Sequence, residues 1–110
     1  MAYRELKQLV METAKKAYRI GLMAGTSGNF SLRVPQTQKM VITPSAIDYD
    51  DMVLEDIVVM NLTGEMIEGN RRPSSEWRMH AAIYEELPHV NAVVHTHSPY
   101  ASRFAVLSEP

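Results

Sequence analysis

Between Tyr3 and Leu22 apolar residues recur at helical spacing (Leu6, Val10, Ala14, Ala17 and Ile20) while Lys7, Lys15, Lys16 and Arg19 take the opposite side. The pattern predicts an amphipathic helix ending near Gly21. Period two then takes over. MAGTSGNFSLRV passes from small polar residues into the alternation Phe30, Leu32, Val34, and KMVITP follows a polar stretch containing Pro35, which predicts a loop and a strand hairpin. SAIDYDDM predicts a helical or irregular turn, and DIVVMN, Thr63-Gly64 and EMIEG predict a second strand pair. In SSEWRMHAAIYEEL, Trp77, Ala81 and Tyr84 share one helical stripe, with Ser74 as expected N-cap, Glu76 in the first turn and Pro88 as terminator. NAVVHTH is a strand, and Ser98-Pro99 opens a last helix, PYASRFAVL. The order α, several β, α, β, α predicts an α/β domain with a mixed or mainly antiparallel sheet.

Composition narrows the function classes. With 110 residues, 45% hydrophobic and 22% charged, the chain suits one folded domain spanning 1–110. A net charge of −2 with interspersed signs supplies no basic stripe for nucleic acid and no polybasic membrane anchor. No apolar run approaches the roughly 18 residues of a spanning helix, and the N-terminal segment is amphipathic rather than signal-like, so a cytoplasmic protein is expected. With no cysteine, a transition-metal site must use histidine and carboxylate. Asn61-Leu62-Thr63 matches a glycosylation sequon but reads as a turn.

Candidate chemistry centres on His95-Thr96-His97. Alternation along a strand projects His95 and His97 from one face, about 7 Å apart along the chain. Glu76 begins the preceding helix, and imidazole nitrogens with a carboxylate oxygen suit Zn²⁺. Paired histidines are also common without any metal. GTSGN at 25–29, TPSA at 43–46 and PSSE at 73–76 are rich in Gly, Ser and Thr. Amides in such turns can surround a phosphate, and they equally serve as plain turns. His80, four residues after Glu76 on the same face, is read as structural rather than as a ligand. Asp48, Asp50 and Asp51 lack the glycine and distal glutamate of a calcium loop and read as a solvated turn. Tyr100 fits either a pocket mouth or aromatic packing.

GLMAGTSGNFSLR, VITPSAIDYDDM, EGNRRPSSEWRMHAAIY and NAVVHTHSPYA occur in the order and spacing of the N-terminal half of class II aldolase/adducin domains, which the chain resembles from about Leu6 to Ala105. The resemblance implies a three-layer αβα fold with helices flanking the sheet. It implies a Zn²⁺ site in which Glu76, His95 and His97 match family ligands, with Glu76 as the catalytic proton donor and acceptor. It also implies a phosphate pocket of Gly28, Asn29, Ser45, Ala46, Ser74 and Ser75. The implied activity is reversible aldol cleavage of a small phosphorylated sugar by a cyclic homotetramer; sugar-phosphate 4-epimerases and dehydratases share the scaffold, and a non-catalytic adducin-like module is the contrasting expectation. Two departures stand out. Ala46 replaces a usual glycine and resists positive φ. The family's third histidine ligand, remaining strands and C-terminal helices lie beyond position 110, so either part of a longer enzyme or a short product is expected.

Overall fold

The computed structural model describes residues 2–21 and 28–96. Helix α1 spans Ala2–Arg19, strand β1 Asn29–Arg33 and β2 Lys39–Ile42. Two short 3₁₀ turns, Tyr49–Asp51 and Leu54–Asp56, lead to β3 (Val58–Asn61) and β4 (Met66–Glu68). Helix α2 (Trp77–Glu86) and β5 (Ala92–His95) follow. The strands form one sheet in the order β4-β3-β2-β1-β5, every neighbouring pair antiparallel.

Alternation explains why the sheet carries a helix on each face. Val41 and Val59 point with Phe30 towards Val10, Ala14 and Ala17 of α1, joined by Tyr49, Met52 and Ile57 from the turns. Met40, Ile42, Val58 and Met60 point the other way, towards Ala81 and Tyr84 of α2 and Val93 of β5. Strands sandwiched between helices read as apolar on both sides, as KMVI and VVMN do. The result is three layers, α1, sheet and α2, as the resemblance implied.

The local signals act as their chemistry suggests. The β1–β2 connection turns at Gln36, with φ 63°, and is closed by Val34 N–H donating to Lys39 O at 3.0 Å. Asp48 caps the first 3₁₀ turn by accepting from Asp50 N–H at 3.0 Å. At the β3–β4 turn the Trp77 ring lies so close to Gly64 that an added Cβ would sit 2.8 Å from it.

Three expectations need correction. Ile20 falls after the end of α1 and is 64% exposed, because the stripe outruns the helix. Lys7 is buried instead of solvated, since its ammonium pairs with Glu68 of β4. Ser74 does not cap α2 directly. Its hydroxyl accepts from Glu76 N–H at 3.2 Å and its carbonyl from Trp77 N–H at 3.0 Å, making a separate turn. Helix α2 therefore starts at Trp77, and Glu76 holds the N-cap position without using its side chain as a cap. The last helix expected, from Pro99 onward, lies outside the described residues.

Candidate metal and phosphate site

Strand β5 pairs with β1 so that His95 stands opposite Asn29. The same alternation that buries Val93 against α2 turns His95 to the α2 side of the sheet. There its Nδ1 lies 3.2 Å from Glu76 Oε1. The N-cap position makes this possible. A carboxylate folded back onto the first helical amides would face the helix, whereas the Glu76 side chain makes no capping bond. Two donors held on one tetrahedral Zn²⁺ at about 2.0–2.2 Å each stand about 3.3 Å apart, so a carboxylate oxygen and an imidazole nitrogen at this spacing fit two of its ligand positions. Among the described residues no three His, Cys, Asp or Glu side chains form a metal cluster. His97, the third expected ligand, lies outside those residues.

The described parts of the three polar segments meet beside this pair. Thr43 N–H donates to Phe30 O at 3.0 Å, and the Thr43 hydroxyl accepts from Phe30 N–H at 3.2 Å. Ser74 N–H donates to Thr43 O at 2.9 Å and Ser45 N–H to Arg72 O at 3.0 Å, around an isolated bridge between Pro44 and Pro73. Gly28, with φ 94°, is tied down by the Tyr49 hydroxyl donating to its carbonyl at 2.7 Å. Burial pushes that phenol up to about 12, so it remains a donor. Gly28, Asn29, Ser45, Ala46, Ser74 and Ser75 are thereby gathered at one end of the sheet; Gly25, Thr26 and Ser27 lie outside the described residues. Ala46 keeps the left-handed turn despite its Cβ, with φ 53°.

Behind these loops runs a buried polar chain. Asn29 Oδ1 lies 2.5 Å from His80 Nε2, His80 Nδ1 lies 2.6 Å from Ser31 Oγ, and Ser31 Oγ lies 2.8 Å from the Tyr84 hydroxyl. Burial, and then the neighbouring His95, push the His80 imidazole down to about 4, against an opposing pull from Glu76, so it is neutral near pH 7. The structural reading of His80 agrees with its complete burial. Ser31 and Tyr84 were missed as polar partners. The signal was present in the complementary alternation Asn29, Ser31, Arg33, which faces α2 while Phe30 and Leu32 face α1.

Residues 8–110 match the Class II Aldolase and Adducin N-terminal domain. This chain belongs to that family. One relative, the 5-deoxy-D-ribulose 1-phosphate aldolase of Bacillus thuringiensis serovar kurstaki, is 41% identical over 107 residues, covering 97% of this chain and 50% of the relative. The L-ribulose-5-phosphate 4-epimerase of Salmonella paratyphi B is 38% identical over 102 residues, covering 93% of this chain and 45% of the relative. The solved structure of an L-fuculose 1-phosphate aldolase superposes with a TM-score of 0.86 at 41% identity, covering 96% of this chain and 50% of that one. The chain thus spans about half the length of these relatives.

Proposed function

We propose that this chain supplies the metal- and phosphate-binding half of a zinc-dependent aldolase that cleaves a small phosphorylated sugar reversibly into dihydroxyacetone phosphate and an aldehyde. L-Fuculose 1-phosphate is the nearest specific substrate. The observation that carries the reading is the approach of Glu76 to His95 beside Gly28, Asn29 and the loops at 43–46 and 73–76. Glu76, His95 and His97 would hold the Zn²⁺, and when bound it supplies Lewis-acid polarisation of substrate oxygens. Amides and hydroxyls of Gly28, Asn29, Ser45, Ala46, Ser74 and Ser75 would hold the phosphate and fix the sugar relative to Glu76. In cleavage the C3–C4 bond of the ketose breaks, the C4 hydroxyl loses its proton as the aldehyde forms, and C3 gains one. Glu76 is assigned the C3 proton. Its place just before α2, with no capping bond to give up, leaves the carboxylate available for that exchange.

The test uses the protein as its gene encodes it, purified without chelator. Glu76→Gln is expected to lower the rate of dihydroxyacetone phosphate release from L-fuculose 1-phosphate by at least about 100-fold, the lower bound for a lost general acid or base. Turnover equal to wild type would remove Glu76 from the chemistry. A second reading, epimerisation of a pentulose 5-phosphate, is favoured by the 4-epimerase relative. Turnover of L-ribulose 5-phosphate without dihydroxyacetone phosphate release would select it. Assembly into a homotetramer, with sites between subunits, belongs to the same proposal, and sedimentation checks it.

A further inference from the structure

We propose that His80 is a positioning residue for the phosphate pocket: its Nε2–H holds the carbonyl end of the Asn29 amide, leaving the amino end as the donor available to an anion. The inference rests on the phosphate reading above and adds a residue to it. An asparagine amide has one donor end and one acceptor end of nearly equal size, and only the donor end attracts a phosphate oxygen. Something must choose between the two.

The buried chain makes the choice. Asn29 Oδ1 can only accept, so the His80 Nε2 facing it at 2.5 Å carries the hydrogen. A neutral imidazole then has a bare Nδ1, and the Ser31 hydroxyl donates to it across 2.6 Å. Ser31 Oγ in turn takes the hydrogen of the Tyr84 hydroxyl at 2.8 Å. The far end keeps its hydrogen, because burial raises the Tyr84 phenol above its ordinary range despite the opposing pulls of Ser31, Arg33 and Val93. Running the chain in reverse would put the imidazole hydrogen on Nδ1 and leave a bare Nε2 facing the Asn29 oxygen at 2.5 Å, two acceptors with no hydrogen between them. Burial excludes water as an arbiter: His80 is 0% exposed, Tyr84 1%, Ser31 2% and Asn29 5%. Direction therefore passes from Tyr84 through Ser31 and His80 to the amide beside Gly28.

The wild-type protein gives the first readout. A long-range ¹H–¹⁵N spectrum at pH 7 is expected to show His80 as the neutral Nε2–H tautomer; the Nδ1–H tautomer would overturn the proposal. Titration with inorganic phosphate gives the second. His80→Leu, which removes both nitrogens, is expected to weaken phosphate binding about tenfold, the scale of one bond to an anion. His80→Gln, which offers an amino group towards Asn29 and a carbonyl towards Ser31, is expected to stay within about threefold of wild type. In an Asn29→Ala background the leucine change should alter the dissociation constant by less than about twofold, because His80 acts through Asn29. Additive losses would mean that His80 serves the fold at large, and the proposal falls while the pocket stands. Unchanged phosphate binding in Asn29→Ala alone would instead sink the pocket reading at Asn29, and the role of His80 with it. Should the leucine variant fail to fold, the tautomer and the glutamine variant still decide.

Discussion

Ala46 holds a left-handed backbone, φ 53°, in the loop assigned to phosphate. There its Cβ crowds the following carbonyl, a cost of roughly 1–2 kcal/mol that glycine avoids, partly offset by the greater freedom of an unfolded glycine. Ala46→Gly is therefore expected to raise stability by about 1 kcal/mol, measured as a higher urea midpoint at unchanged slope; a lower midpoint would refute the strain. The strained position was legible in the sequence as a departure from the family's glycine, but whether the turn would persist depended on neighbours such as the Thr43 and Ser45 bonds. Glu76 and His95 were legible through residue type and the pattern of strand and helix. The exact seat of Glu76 was not, because Ser74 can bond either the helix or a turn before it, and the bridge between Pro44 and Pro73 favours the turn.

Helix α2, which carries Glu76 at its start, is held at its other end by a strand residue. The buried Arg33 guanidinium donates to the carbonyls of Tyr84 at 2.7 Å, Val90 at 2.9 Å and Leu87 at 3.2 Å. It also stacks 4.8 Å over the Tyr84 ring. A cation at a helix C-terminus satisfies carbonyls that lack intrahelical partners and complements the helix dipole. Arg33→Met keeps the aliphatic bulk and removes all three bonds; the expected loss is about 2–4 kcal/mol, read from the urea midpoint, and a loss below about 0.5 kcal/mol would show that water replaces the clamp. Element types and their order were recoverable from periodicity, since α1, the two hairpins, α2 and β5 each repeat clearly. Their pairings were less so. Periodicity placed Lys7 on a solvated face because nothing near it in sequence shows that Glu68, on the edge strand, will meet it.

Among the described residues, acid acts chiefly through one buried imidazole. His80 titrates near 4 in the fold, lowered first by burial, against 6.5 unperturbed, so between those values the unfolded chain binds a proton that the fold refuses. Its contribution to stability is full above about pH 6.5 and falls as pH drops towards 4, by about 3 kcal/mol from the size of the shift. Unfolding midpoints at pH 7, 6, 5 and 4 are expected to fall in wild type and to fall less in His80→Gln; parallel slopes would place the sensitivity elsewhere. Asp56 adds to the decline further into acid. Burial opposes its charge, but the Val53 amide and the Arg71 guanidinium outweigh burial and lower it overall. Element order alone gave an α/β domain with a mixed or mainly antiparallel sheet and the family resemblance gave the three layers, whereas the polar chain through His80 required knowing that β1 turns its polar side to α2.

Among the described strands, β1–β2, β2–β3 and β3–β4 join neighbours along the chain, whereas β1–β5 joins the first to the last. A nascent chain can zip the first three pairs as each strand leaves the ribosome, but the outer edge of β1 must wait for Ala92–His95. The wait has a chemical cost. Until β5 docks, His95 is remote from Glu76, and the edge of β1 remains open to any other strand. The meeting of Glu76 with His95 is thus timed to the emergence of β5, when the described sheet first closes on itself.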